Sequence, residues 1–93
     1  MKIRKIDKRN ELFGDFVWQI TMTVEEFLSV RDWCYDTWGS TVEYHWWHKH
    51  GPKRNAVMWS FDSRPYNKHS NIKFPAIYLR SDKELALFNL KWA

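Results

Sequence analysis

The most strongly patterned segment of the chain is TVEYHWWHKHGPKRNAVMWSFD, residues 41–62. Apolar and polar side chains alternate in both halves of this segment, a pattern typical of half-buried β-strands. The basic loop 49–55 separates the two halves and contains Gly51 and Pro52, which favour a turn. We therefore expect two antiparallel strands joined by this loop.

The register of this hairpin follows if the loop centres on Gly51 and Pro52. The apolar row then pairs Tyr44 with Trp59, Trp46 with Val57, and Val42 with Phe61, so all three pairs lie on one face. That face is expected to meet the core. The other row is expected on an open face: Glu43, His45, Trp47, Met58, Ser60 and Asp62.

Further strands are predicted on both sides of the hairpin. Residues 15–22 alternate, and we expect Phe16, Trp18, Ile20 and Met22 to form their core row. Pro75 precedes a last strand, Ala76–Arg80, with Ile77 and Leu79 inward and Tyr78 outward. Residues 1–13 are either a basic arm or, in their first half, a short edge strand. The segment 63–73 shows neither strand nor helix periodicity and is expected to be a loop.

Two capping boxes predict the helices. Thr23 and Glu26 have the Thr-x-x-Glu spacing, so a helix should run from Val24 to about Trp38 and end at Gly39. Ser81 and Glu84 predict a second helix from about Asp82 to Trp92. The apolar stripe expected on the first helix contains Val24, Phe27, Leu28, Cys34, Tyr35 and Trp38, with Arg31 inside it. Trp33 falls on the opposite, acidic face, where it is expected to be exposed.

These elements predict an α+β domain covering residues 1–93. Its antiparallel sheet of about four strands would carry two helices on one face, in the order β-α-β-β-β-α. This order corresponds to an altered ferredoxin-like pattern, because the chain stops after its second helix. The apolar residues of the last helix nearly encircle it, so it should pack on the sheet and on a second neighbour, either the first helix or another subunit.

Charge and aromatic content favour a binding protein. The net charge of +4 is concentrated locally, with +3 in residues 1–13 and +6 in residues 49–80, against −5 in residues 14–48. Such basic regions attract acidic protein surfaces or nucleic acid, or only keep a protein soluble. Seven Trp are more than a core of this size needs, so some rings are expected at a surface.

No pattern in the sequence predicts catalysis. The histidines at 45, 48, 50 and 69 lack metal-ligand spacing, Cys34 is expected to be buried and inert, and Glu43 with Asp62 has no further mark of an acid/base pair. No nucleotide-binding motif is present. We therefore expect no enzyme activity, no catalytic residues, no metal site and no cofactor.

The open sheet face is the predicted binding site. Trp47, Tyr78 and Arg80 would lie there, flanked by the loop cations Lys53, Arg54 and Arg64, and Trp33 would form a separate anchor. Rings and cations in this arrangement suit an acidic protein surface, and they also suit stacked single-stranded nucleic acid. The carboxylates of Glu43 and Asp62 on the same face would repel phosphate.

The segment SDKELALFNLKW, residues 81–92, resembles the C-terminus of small uncharacterised proteins of marine tailed phages, including cyanophages. Asp82, Ala86, Leu90, Lys91 and Trp92 align with that pattern, and Phe88 stands one residue earlier than the pattern has it. The resemblance implies a phage accessory protein that acts in the host cytoplasm. It brings no catalytic residue with it.

Three functions therefore remain as expectations. The first is a non-enzymatic interaction protein, such as an inhibitor, that binds a host or viral macromolecule. The second is a single-stranded nucleic-acid-binding protein, and the third is a structural or decoration subunit that self-associates through the outer side of its last helix. The absence of a bilayer-spanning apolar run predicts a cytoplasmic protein without a membrane partner.

Overall fold

The computed structural model describes residues 1–9, 15–41, 57–62 and 74–92. Within these ranges it contains four strands and two helices: β1 (Lys2–Lys5), β2 (Trp18–Thr21), α1 (Val24–Trp38), β3 (Trp59–Asp62), β4 (Ala76–Leu79) and α2 (Asp82–Trp92). The predicted α+β class is confirmed, and the N-terminal segment forms a strand. The predicted strand and loop between residues 42 and 56 lie outside the described residues, as does the hairpin register.

The four strands form one antiparallel sheet in the order β1-β2-β4-β3. Directly paired residues lie on the same face of a sheet. The helix face therefore carries Ile3, Lys5, Trp18, Ile20, Trp59, Phe61, Ile77 and Leu79. The second face carries Lys2, Arg4, Gln19, Thr21, Ser60, Asp62, Ala76 and Tyr78.

The backbone is irregular just before β2, and this changes which side chains share a face with Trp18. The Val17 amide donates to the Leu79 carbonyl at 2.9 Å, although Leu79 is also the register partner of Trp18. Two consecutive residues thus face one residue of β4, which is the arrangement of a β-bulge and reverses the side-chain parity. Phe16 consequently packs with Tyr78 on the second face, and the prediction that it joins the row of Trp18 was wrong.

Helix α1 has the predicted ends. The Glu26 amide donates to Thr23 Oγ1, and the Thr23 amide donates to the Glu26 carboxylate, at 3.2 and 2.9 Å. At the other end the Gly39 amide donates to the Tyr35 carbonyl at 3.0 Å. Gly39 has the predicted positive φ, at 84°, but its ψ of −164° lies outside the left-handed helical region that was predicted.

The buried stripe of α1 is rotated from the predicted one. Phe27, Val30 and Cys34 form it, whereas Val24, Leu28 and Tyr35 are exposed. The Arg31 guanidinium lies over the rings of Phe27 and Phe61, with 5.5 and 5.9 Å to the ring centroids. The boundary of the buried stripe was therefore wrong, because the sheet and α2 contact α1 further round its axis than Val24 and Leu28.

Helix α2 begins at Asp82, as predicted, and Ser81 before it forms a modified cap. The Lys83 amide donates to Ser81 Oγ, and the Ser81 hydroxyl donates to the buried Glu84 carboxylate at 2.7 Å. Trp18 Nε1 also donates to Asp82 Oδ1 at 2.8 Å. These bonds fix the start of α2 against β2.

Both helices cover the helix face, as predicted. The core there joins Phe27, Val30 and Cys34 of α1 and Phe88 of α2 to Ile20, Trp59, Ile77 and Leu79 of the sheet. Trp59 is fully buried, and its Nε1 donates to the Gly39 carbonyl at 2.9 Å. The Thr41 hydroxyl donates to the Trp59 carbonyl. Trp59 therefore connects β3 to the end of α1.

A second apolar cluster lies on the second face. It contains Ile6, Phe16, Ala76 and Tyr78, with Val57 packed against it. Val57 was predicted on the face of Trp59, so that assignment was wrong. Ser60 and Asp62 are also buried, which contradicts the predicted open face at these positions.

Candidate protein-binding surface

Tyr78 does not form an exposed platform for a partner. Its backbone lies between Gln19 and Ser60 on the second face, as the alternation predicts. Its side chain is only 2% exposed, and Gln19 Nε2 donates to its hydroxyl oxygen at 3.3 Å. The prediction of an outward, accessible Tyr78 was wrong, because this face buries its own apolar cluster around the ring.

Arg80 is held at the end of β4. Its amide donates to the Met58 carbonyl at 3.0 Å, and its Nη1 donates to the Val57 carbonyl at 2.7 Å. A half-buried guanidinium held in this way positions the backbone that precedes β3. Contact with a partner through Arg80 stays a prediction.

Trp33 is half-buried and packs against the core of the helix face rather than standing exposed on an acidic surface. Its ring makes edge-to-face contacts with Trp38, Phe88 and Trp92, with centroid separations of 5.0, 6.0 and 6.1 Å. These contacts exist because α2 lies against the side of α1 that carries Trp33. The predicted exposure of this residue was wrong, and Trp33 stabilises the contact between the two helices.

The remaining predicted site residues, Trp47, Lys53, Arg54 and Arg64, lie outside the described residues. The four histidines lie there as well. Among the residues that are described, no three His, Cys, Asp or Glu side chains come together as metal ligands. Cys34 is fully buried, and burial raises the pKa of its thiol well above its usual range. A thiol in that environment stays protonated and is a poor nucleophile.

Strand β1 is an accessible basic segment of the described chain. All four of its residues are exposed, and three of them are the cations Lys2, Arg4 and Lys5. Strand β1 lies at one edge of the described sheet and pairs with β2 on its inner side. Sequence reasoning recognised an edge strand here but did not assign a site to it. The signal was the alternation of cationic and apolar residues in KIRK.

Two clefts lie beside β1. One, of about 250 Å³, is lined by Met1, Ile3, Glu26, Phe88, Asn89 and Trp92. The other, of about 300 Å³, is lined by Met1, Lys2, Thr21, Met22, Thr23, Glu26 and Phe74. Met1, Ile3 and Phe74 are exposed around them. Both clefts thus have apolar side chains in their walls, and Lys2 lines the larger one.

Glu26 supplies a fixed negative charge between the two clefts. Its hydrogen bonds with Thr23 hold the pKa of its carboxyl below the usual range, so it is ionised at neutral pH. The N-terminal ammonium lies 4.0 Å from Glu26 Oε2. In the first cleft, Trp92 Nε1 is buried and has no hydrogen-bond partner among the described residues.

Neither helix of the described chain is both long enough and apolar enough to cross a bilayer. Comparison of the chain with protein-family models, with curated proteins and with solved structures finds no match in any of the three.

Proposed function

We propose that this chain is a non-enzymatic interaction protein that binds an acidic segment of a protein partner. The observation that carries this proposal is strand β1, an exposed edge strand with Lys2, Arg4 and Lys5 on its two sides. Cations concentrated on one edge attract acidic surfaces and accelerate their association. The apolar clefts beside the strand add contact area of the kind enriched at the centre of interfaces.

A protein partner is favoured over single-stranded nucleic acid by the burial of the aromatic residues. Binding of single strands relies on several exposed rings on which successive bases stack. In the described part of the chain only Tyr35 and Phe74 are exposed aromatics, and they belong to different segments. Tyr78, on which the nucleic-acid hypothesis relied, is buried.

An anisotropy titration tests the proposal. Short fluorescent peptides rich in Glu, each with one apolar residue, would be titrated with the protein at low and moderate salt. We expect micromolar binding that weakens with salt. Arg4→Glu should weaken it by about tenfold or more, since like charges across an interface repel. Lys83→Glu, which makes the same charge change on α2, is the matched control and should leave the affinity unchanged.

The same titration includes labelled single-stranded DNA and RNA. If these bind with a steep salt dependence and quench Trp emission while the acidic peptides do not bind, the protein-partner proposal is wrong and the nucleic-acid function replaces it. Equal effects of Arg4→Glu and Lys83→Glu would show that only net charge matters and would remove β1 as the site.

A further inference from the structure

We propose that the bound partner is an extended peptide that pairs with β1 as an added antiparallel strand and has an acidic–apolar–acidic core. This inference rests on the proposed function and makes it more specific. It assigns the peptide backbone to the edge of the sheet, its two acids to the second face, and its apolar side chain to the cleft beside Ile3.

In the hydrogen-bonding pattern of β1, two residues direct backbone groups to which no described residue bonds. The Ile6 amide donates to the Val17 carbonyl at 2.8 Å, which extends the β1–β2 ladder one pair beyond Lys5 and Trp18. In an antiparallel ladder, hydrogen-bonded pairs alternate with pairs whose N–H and C=O groups point outward. The backbone groups of every second residue before Ile6, which are Arg4 and Lys2, therefore bond to β2. Those of Ile3 and Lys5 point away from β2.

The bonding of β2 to β4 agrees with this assignment. The Met22 amide donates to the Pro75 carbonyl at 3.2 Å. By the same alternation, the backbone N–H and C=O groups of Ile20 point towards β4, and those of Gln19 and Thr21 point towards β1. Arg4 and Lys2 are the register partners of Gln19 and Thr21. Ile3 and Lys5 thus present the N–H and C=O groups that an added strand needs, and no described residue occupies them.

The side chains of β1 specify the sequence of the added strand. A peptide residue opposite Ile3 places its side chain on the helix face, next to the cleft lined by Ile3, Phe88 and Trp92. Its two neighbours lie opposite Lys2 and Arg4 on the second face, where acids form favourable cross-strand pairs. Ile3, Phe88 and Trp92 give this cleft apolar walls, against which a charged side chain would lose its hydration. The central residue is therefore apolar.

A second copy of this chain does not suit the same edge. Antiparallel pairing of two β1 strands through Ile3 and Lys5 would place cations opposite each other in every register: Lys2 opposite Arg4, Arg4 opposite Arg4, or Lys5 opposite Lys5. Like charges placed opposite each other across strands are destabilising, and Lys on an edge strand is a common protection against such pairing. The cationic edge therefore selects an acidic partner.

The test compares synthetic peptides that have the same composition. The first has Glu-Leu-Glu at its centre in a background of Ser, Thr and Gly, and the second has the same residues in the order Glu-Glu-Leu. A third copies the first with the Leu amide N-methylated, which removes the hydrogen bond donated to the Ile3 carbonyl. We expect the first to bind about tenfold tighter than each of the others.

A charge exchange gives an independent readout. Arg4→Glu should weaken binding of the Glu-Leu-Glu peptide and strengthen binding of a Lys-Leu-Glu peptide, because antiparallel pairing places that Lys opposite residue 4 and leaves the Glu opposite Lys2. The circular dichroism spectrum of the variant, compared with that of Lys83→Glu, shows whether it is folded.

The outcomes separate this inference from the proposed function. If all three acidic peptides bind with equal affinity, strand addition is wrong, while an electrostatic protein-binding function stands. If no acidic peptide binds at low salt, the proposed function fails and the inference fails with it. Preference for the ordered peptide, loss on N-methylation and rescue by charge exchange together are the expected result.

Discussion

At the scale of single residues, Gly39 has the strictest backbone requirement. Its φ of 84° and ψ of −164° lie in a region that only glycine adopts readily. A Cβ atom at this position would meet no other atom within 4 Å, so the requirement arises from the backbone and not from crowding. We predict that Gly39→Ala lowers the free energy of unfolding by about 1 to 2 kcal/mol, measured by urea denaturation.

Ser40→Ala is the matched control for this residue. Ser40 is exposed next to Gly39, and the substitution should change the free energy of unfolding by less than about 0.5 kcal/mol. Equal stability of Gly39→Ala and the wild type would mean that α1 ends in a different conformation.

At the scale of elements, the N-terminus of α1 depends on an ionised carboxylate. The pKa of Glu26 is lowered by the hydrogen bond that its carboxylate accepts from the Thr23 amide and then by one from the Thr23 hydroxyl. A carboxyl whose folded-state pKa is lowered stabilises the protein above its unfolded pKa of about 4.3. That stabilisation is lost as the pH falls through the folded-state pKa.

We therefore predict that Glu26→Gln is less stable than the wild type at neutral pH and that the difference shrinks towards pH 3, about one unit below the unfolded pKa. Glutamine keeps an oxygen acceptor for the Thr23 amide. The pH-dependent part of the difference in the free energy of unfolding therefore reports the charge of Glu26. Denaturation at several pH values measures it. Glu25→Gln removes a charge from the same turn without touching the cap, and it should show a smaller pH dependence. The same dependence in both variants would contradict a specific role of the cap.

At the scale of the whole molecule, Trp33 holds the two helices together on the sheet. Its ring contacts Trp38 of α1 and Phe88 and Trp92 of α2, and it packs against the core of the helix face. We predict that Trp33→Ala lowers the free energy of unfolding by about 2 to 3 kcal/mol, since it leaves a cavity between the helices. Urea denaturation followed by circular dichroism checks this.

Leu90→Ala is the control for the same measurement. Leu90 is 85% exposed on the outer side of α2, so its loss should change stability by less than about 0.5 kcal/mol. If Trp33→Ala is no more destabilising than Leu90→Ala and weakens peptide binding instead, Trp33 is a partner contact, as its sequence position first indicated.

Leu87 is also exposed on this side of α2, where self-association was expected. Analytical sedimentation of the protein tests that hypothesis.

Local patterns were sufficient to predict most elements in the described residues. The Thr23–Glu26 spacing and Gly39 located both ends of α1, and Ser81 located the start of α2, because caps depend on residues within one turn of each other. Strand alternation placed Tyr78 opposite Ile77 and Leu79 for the same local reason. The acidic and basic segments were equally visible in the amino-acid order.

Which side chains are buried could be determined only from the tertiary structure, because burial depends on which helices and strands contact each other. The bulge at Val17 moved Phe16 to the second face, where a second cluster buries Tyr78, and α2 covers the side of α1 that carries Trp33. The hydrophobic periodicity of a single segment cannot predict these contacts, since the residues involved are far apart in the chain. The pairing of β1 with β2 likewise determined which strand has an exposed edge. The proposed binding surface therefore follows from contacts between distant segments, whereas its positive charge is a property of the sequence.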